Sequence, residues 1–254
     1  MLDILRARLA FGQRTVPLPE PHETPVAEGF RGLPALAAER CPAECATCAG
    51  ACPTGAITPG AGSGPRIDLG RCLFCPECAA ACPAGAIGFT REHRLAATSR
   101  DDLAVGSGDS CPAVEPMAPD LRKLFGRSFK LRQVSAGGCN GCEGELIVTG
   151  TLVYDLSRFG VQFVASPRHA DALVVTGPVS KNMRLALEKT YAALPAPKLV
   201  IACGACAISG GPFAGSPEAH DGVGDILPVD LWIPGCPPHP WTLVDGVLRL
   251  MGRL

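Results

Sequence analysis

The chain has 254 residues, 47% of them hydrophobic and 19% charged, with 14 cysteines and a formal net charge of −1. This composition excludes intrinsic disorder as the main state. The balance of 23 Lys+Arg against 24 Asp+Glu excludes a nucleic-acid binder that works by phosphate neutralisation.

Residues 1–30 read as an N-terminal docking segment. Leu2, Leu5 and Leu9 are interrupted by Asp3, Arg6 and Arg8, which is not the pattern of a secretory signal. No stretch approaches the ~18 apolar residues of a membrane span. A cytoplasmic setting is expected, where clustered cysteines mean metal or redox chemistry rather than disulfides.

Residues 31–95 hold eight of the cysteines and an internal repeat. Cys45-Ala-Thr-Cys-Ala-Gly-Ala-Cys-Pro-Thr-Gly-Ala-Ile57 overlays Cys75-Pro-Glu-Cys-Ala-Ala-Ala-Cys-Pro-Ala-Gly-Ala-Ile87, with one further cysteine before each copy, Cys41 and Cys72. The second copy reads C-x2-C-x2-C-x3-C-P. The first has one extra residue between Cys41 and Cys45, which requires a bulge. Three closely spaced cysteines let a loop wrap one face of an iron–sulfur cubane. The fourth precedes proline, is pushed out of the helical region, and can reach a second cubane. In two-cluster ferredoxins the fourth cysteine of each run serves the other cluster. The expected ligand sets are Cys41, Cys45, Cys48 and Cys82 for one [4Fe-4S] cluster, and Cys72, Cys75, Cys78 and Cys52 for the other. Structural zinc is the alternative, but zinc sites usually recruit histidine, and no histidine falls between Cys41 and Cys82.

Residues 96–127 are rich in polar residues, glycine and proline, and read as a linker. Residues 128–254 alternate short aliphatic runs with helical spacing. Strands are expected at Phe129–Val134, Val161–Ala165, Leu173–Thr176, Leu199–Cys203 and Asp230–Ile233. Helices are expected at Glu145–Arg158, Lys181–Leu194 and Trp241–Met251. This alternation indicates a mostly parallel sheet covered on both faces. The fold class is therefore an α+β dicluster ferredoxin domain followed by an α/β flavodoxin-like domain.

Five cysteines fall in loops after the strands of this second domain: Cys139, Cys142, Cys203, Cys206 and Cys236. Ligands in open α/β sheets bind outside the carboxyl ends of strands, so a third cluster is expected there. Cys139, Cys142 and Cys236 are clear ligands. Spacing alone does not decide between Cys203 and Cys206.

At these residues the chain resembles a known family. Gly138-Cys-Asn-Gly-Cys-Glu143, Ala165-Ser-Pro-Arg-His-Ala-Asp171, Gly177-Pro-Val179, Gly204-Ala-Cys-Ala207 with Gly210-Gly211, and Pro234-Gly-Cys-Pro-Pro238 are similar to motifs of one small, cluster-bearing subunit. That subunit is shared by complex I and the energy-converting [NiFe] hydrogenases of the formate-hydrogenlyase type. Residues 31–95, with the lead-in Pro25 to Gly32, resemble the eight-iron ferredoxin subunit of the same complexes. The chain thus resembles a fusion of two neighbouring subunits.

The resemblance implies Cys206 as the fourth ligand beside Cys139, Cys142 and Cys236, giving three [4Fe-4S] clusters in all. Cys203 and Cys111 are left over. It implies electron transfer to or from an active site on a large catalytic subunit like the 49 kDa subunit of complex I. Membrane-arm subunits and a soluble electron donor protein are further expected partners, and nucleic acid is not. The chain would lie peripherally on the cytoplasmic face of the membrane, held by those partners. The Asn-Gly between Cys139 and Cys142 favours the hydrogenase branch over a complex-I-like quinone oxidoreductase or a nickel-free relative.

No catalytic residue is expected in this chain. Glu143 is a candidate proton relay, or simply a glutamate favoured at a helix N-terminus. Arg168 and His169 are expected in a docking salt bridge, and His239 in loop packing. A stand-alone dicluster carrier is the remaining alternative, and it would need no partner.

Overall fold

A computed structural model describes residues 2–12, 18, 26–60 and 63–254. Pro25, where the lead-in starts, lies outside the described residues, as does much of the docking segment. The start of the chain forms helix α1 (Leu2–Phe11), which buries none of its residues.

The cysteine repeat of the sequence is also a repeat of backbone. Helices α2 (Thr47–Ala51) and α3 (Glu77–Ala81) occupy equivalent places in the two copies and pack on each other. Each buries its cysteine, Cys48 or Cys78. Each is stopped by a cysteine before proline: Cys52 has φ −77°, ψ 117° and Cys82 has φ −77°, ψ 107°. That is the extended conformation a following proline imposes. Gly55 and Gly85 then turn the chain with φ of +60° and +58°, a region open to glycine without steric cost. Two small antiparallel sheets frame the helices. One pairs β1 (Pro34–Leu36) with β4 (Ile87–Phe89). The other runs β2 (Ile57–Thr58), β3 (Arg66–Asp68) and β5 (Ala104–Val105).

The rest of the chain forms a five-stranded sheet, parallel throughout, in the order β10-β9-β8-β6-β7. Its strands are β6 (Phe129–Ser135), β7 (Val161–Phe163), β8 (Ala172–Thr176), β9 (Leu199–Cys203) and β10 (Leu231–Ile233). Counted from β6, the spatial order is 2-1-3-4-5, the flavodoxin-like winding whose switch point lies between the first and third strands. All five residues of β8 and of β9 are buried, as expected where helices cover both faces. Side chains alternate between two apolar clusters. Leu173, Val175, Val200 and Ala202 join one; Ala172, Val174, Leu199, Ile201 and Cys203 join the other. Helices α6 (Lys181–Ala193) and α8 (Pro240–Leu250) cover opposite faces, with Leu187 in the first cluster and Trp241, Val244 and Leu248 in the second.

One helix differs from the sequence expectation. In place of Glu145–Arg158 the structure has α5 (Gly141–Val148), followed by turns and a 3-10 turn at Leu156–Phe159. The Thr149 hydroxyl bends back to donate to the Leu146 carbonyl (2.6 Å), Gly150 follows, and Asp155 has φ +41°. The apolar residues that carried the helical spacing onward, Leu152 and Val153, are exposed.

The segment 96–127 is built into the molecule. Ala97 bridges to Trp232, β5 closes the small sheet, and Leu103, Val105, Met117 and Phe125 are buried. Helix α4 (Pro119–Phe125) leads into β6. The two halves also meet directly. The Ser209 hydroxyl donates to the Gly70 carbonyl (2.9 Å), and a Cβ on Gly70 would stand 2.6 Å from Ile208.

Candidate metal centres

Fourteen thiols are free, and eleven of them stand near one another in three groups. In the second repeat copy, Cys72 is surrounded by Cys78, Cys52 and Cys75. These four line one small cavity whose walls, apart from Thr54, are otherwise apolar, including Ile57, Ile67 and Leu73. Burial pushes the Cys72 thiol up to about 12, and the neighbouring thiols add to it. Such a group resists ionisation alone; a bound cation reverses that, because a coordinating thiol gives up its proton. Backbone amides point at the sulfurs. Phe74 N–H donates to Cys72 Sγ (3.3 Å), and Ala56 N–H donates to Cys52 Sγ (3.2 Å). Phe74 reaches this position with φ +53°, and the Arg31 guanidinium holds its carbonyl.

In the first copy, Cys48 stands beside Cys41 and Cys45. The extra residue there is taken up by a turn closed by Cys45 N–H to the Pro42 carbonyl (3.0 Å). Cys82 repeats the Cys52 arrangement, accepting from Ala86 N–H at 3.2 Å.

The third group forms at the carboxyl ends of the parallel strands. Cys139 and Cys142 follow β6, Cys206 lies in the short helix α7 (Ala205–Ser209) after β9, and Cys236 follows β10. Cys206 faces Cys236, Cys142 and Cys139, and burial pushes its thiol up to about 12. Cys236 in turn stands near Cys75 of the first half. Glycines keep space open around these sulfurs. A Cβ on Gly204 would lie 2.4 Å from Cys142 Sγ, and one on Gly211 would lie 3.1 Å from Cys206 Sγ. At the switch point the two loops touch backbone to backbone: a Cβ on Gly177 would lie 2.5 Å from the Gly138 nitrogen. Among the described residues no three Cys, His, Asp or Glu side chains gather as a single metal ion requires.

Glu143 is buried at the first turn of α5. Burial pushes its carboxyl up, but hydroxyls donated by Ser135 (2.6 Å) and Thr176 (2.7 Å) outweigh that and hold it below its ordinary value. Ser135 and Thr176 were not legible as its partners. They are register neighbours at the ends of β6 and β8, and Cys203 continues the row at the end of β9. Arg168 and His169 are exposed on a 3-10 turn capped by Ser166. His239 is the N-cap of α8, its Nδ1 accepting from Trp241 N–H (3.2 Å), and its ring packs edge-on against Phe30 and Tyr154. Cys111 lines a surface pocket with Glu92, Arg94 and Arg249.

Residues 139–250 match the family described as NADH ubiquinone oxidoreductase, 20 kDa subunit. A Pyrococcus furiosus "Probable membrane-bound hydrogenase subunit" is 43% identical over 141 residues, covering 56% of this chain and 84% of the relative. The chain belongs to this family. Two other relatives span its breadth. Subunit 7 of Escherichia coli formate hydrogenlyase is 41% identical over 142 residues, 56% of this chain and 56% of that protein. A subunit of the Heliobacterium modesticaldum NADH-quinone oxidoreductase is 37% identical over 158 residues, 61% of this chain and 89% of that protein. The 20 kDa-subunit family thus holds subunits of both hydrogenase and quinone oxidoreductase complexes, as the strand-end motifs implied. Among the described residues no helix is long and apolar enough to cross a membrane.

Proposed function

We propose that this chain is the electron-transfer subunit of a membrane-associated oxidoreductase complex, with three [4Fe-4S] clusters held in two domains. Residues 31–95 form the dicluster ferredoxin domain, 96–127 the connection, and 128–254 the 20 kDa-type domain. The observation that carries the reading is the meeting of Cys139, Cys142, Cys206 and Cys236 at the strand ends, with Cys75 alongside Cys236. The donor set fits: thiols only, glycines where a Cβ would strike a sulfur, and amides directed at sulfur. When bound, such clusters supply one-electron redox chemistry, with potentials set by burial and hydrogen bonds to sulfur.

The chain's own residues fix the path. Cys72, Cys75, Cys78 and Cys52 would hold the site next to Cys236, so electrons would cross between the halves there. Cys41, Cys45, Cys48 and Cys82 would hold the outer site, open to a soluble donor protein. Cys139 and Cys236 are exposed, which suits a centre that must approach an active site on a large catalytic subunit. Exposed Arg168 and His169 suit docking to such a partner. Membrane-arm subunits would hold the complex on the cytoplasmic face, and α1, which buries none of its residues, would dock there. Glu143, fixed by Ser135 and Thr176, would sit between the strand-end centre and the sheet as a proton-relay candidate.

The Asn-Gly between Cys139 and Cys142 supports a hydrogenase-type complex; a quinone oxidoreductase or nickel-free relative is the second reading. Anaerobic purification with co-purifying subunits, iron and sulfide analysis, and low-temperature EPR test the proposal. About twelve iron atoms and three interacting reduced clusters are expected from twelve ligand cysteines. About eight iron atoms would remove the strand-end centre, and zinc without sulfide would overturn the reading. A large subunit with C-x2-C pairs at both ends selects the hydrogenase branch; one without them selects the second reading.

A further inference from the structure

Cys203 stands outside the four strand-end thiols, yet it touches one of them. It ends β9 with 0% exposure. Its thiol is hydrogen-bonded to Cys142, which packs against the same apolar cluster. Strand alternation produces this contact. Cys203 lies in register with Thr176 and Ile233, on the face covered by α5 and α8. The next residue, Gly204, has φ +90° and turns the chain into α7, so Cys206 comes to the other thiols from a different direction. With no Cβ at Gly204, Cys142 Sγ can settle close over the end of the strand.

The direction of this contact follows from its chemistry. A sulfur that binds iron carries no proton and can only accept. The fully buried Cys203, outside the four strand-end thiols, is therefore the donor and Cys142 Sγ the acceptor. In the repeat, Cys52, Cys72 and Cys82 accept from backbone amides. Cys142 accepts from a side chain, so this donor can be removed by one substitution.

We propose that Cys203 is a positioning residue of the strand-end centre, donating its S–H to the ligand sulfur of Cys142 and favouring the reduced state there. The proposal rests on reading Cys139, Cys142, Cys206 and Cys236 as a [4Fe-4S] ligand set. With a cluster bound, one electron from the neighbouring site would add negative charge shared by the ligand sulfurs. No bond forms or breaks, and the proton stays on Cys203. A donor to a ligand sulfur stabilises that added charge and raises the potential.

The test is an EPR-monitored redox titration of the full chain, purified anaerobically with its partner subunits. The signal lost in Cys206→Ala identifies the strand-end centre. Cys203→Ala should keep the iron content and make reduction of that centre about tenfold less favourable, the scale of one charge-assisted hydrogen bond. For one electron that is a fall of ~59 mV. Cys203→Ser retains a donor and should titrate near the wild type. The other two signals should not move in either variant. Should the alanine variant not assemble, Cys203→Val removes the donor while filling the space, and carries the same expectation. An unchanged midpoint without the donor overturns the proposal, leaving Cys203 as packing. Loss of the signal in Cys203→Ala with retention in Cys206→Ala also overturns it, making Cys203 the ligand. A wild type with no strand-end signal at all defeats the cluster reading instead.

Discussion

His239 holds the start of α8 through a nitrogen that must stay unprotonated. Its Nδ1 accepts from Trp241 N–H, and two aromatic rings flank it. Burial first, and then nearby His93, pull its value down to about 4. The unfolded chain takes up the proton near the ordinary histidine value of about 6.5. The stabilising contribution is therefore complete above about 6.5 and is lost as pH falls toward about 4. Thermal unfolding followed from pH 7 to 5 should show a falling midpoint, and His239→Asn, a cap that does not titrate, should flatten that fall. An equal slope in both proteins would assign the effect to other groups. At this scale the site was partly legible. The C-x2-C-x2-C-x3-C-P spacing predicts that Cys72, Cys75 and Cys78 gather with Cys52 of the other copy, and these four line one cavity. The choice between Cys203 and Cys206 was not legible from spacing. It depends on which face of β9 the last residue takes and where Gly204 then turns, and both are set by register with β8 and β10.

The strand-end loops work as elements because their glycines leave room for sulfur. Gly204 is the tightest case: φ is +90°, and a Cβ would sit 2.4 Å from Cys142 Sγ. Gly204→Ala should displace the loop between β9 and α7 and cost the strand-end centre its iron. The full chain would then carry about eight iron atoms rather than about twelve, with the two repeat-borne EPR signals intact. Retention of all the iron would show that the loop gives way easily. The strands were legible because long runs such as Leu199–Cys203 are apolar on both faces, which is what a covered parallel strand requires. The helix expected through Arg158 was not, because period alone cannot register a stop. The Thr149 hydroxyl and Gly150 end α5, and the downstream residues of the right spacing remain at the surface.

Across the whole molecule, the two halves share their cores. One apolar cluster runs from Ile57, Ile67 and Leu69 of the first half to Val134, Leu173 and Ile208 of the second. The other takes Ala96 and Met117 from the connecting segment into the packing around α8. That segment reads as a linker because its average composition is polar, while the residues that anchor it (Leu103, Val105, Met117, Phe125) are isolated and follow no period. Since the first cluster does not close without both halves, and the connecting segment completes the second, the holo chain should unfold in one calorimetric transition. Gly70 tests the seam. A Cβ there would stand 2.6 Å from Ile208 and 2.9 Å from the Arg100 guanidinium carbon, and that guanidinium is already committed to Asp68 at 2.6 Å. Ile208 would have to move, and the Ser209 hydrogen bond to the Gly70 carbonyl with it. Gly70→Val should therefore cost about 1–3 kcal/mol, the usual range for overpacking. In a chain of this size that is a midpoint lowered by roughly 2–10 °C. It should also slow electron exchange between the centres at Cys75 and Cys236 while leaving the iron content unchanged. Two separate transitions in the wild type, or a Gly70→Val variant as stable as the wild type, would show that the halves fold independently.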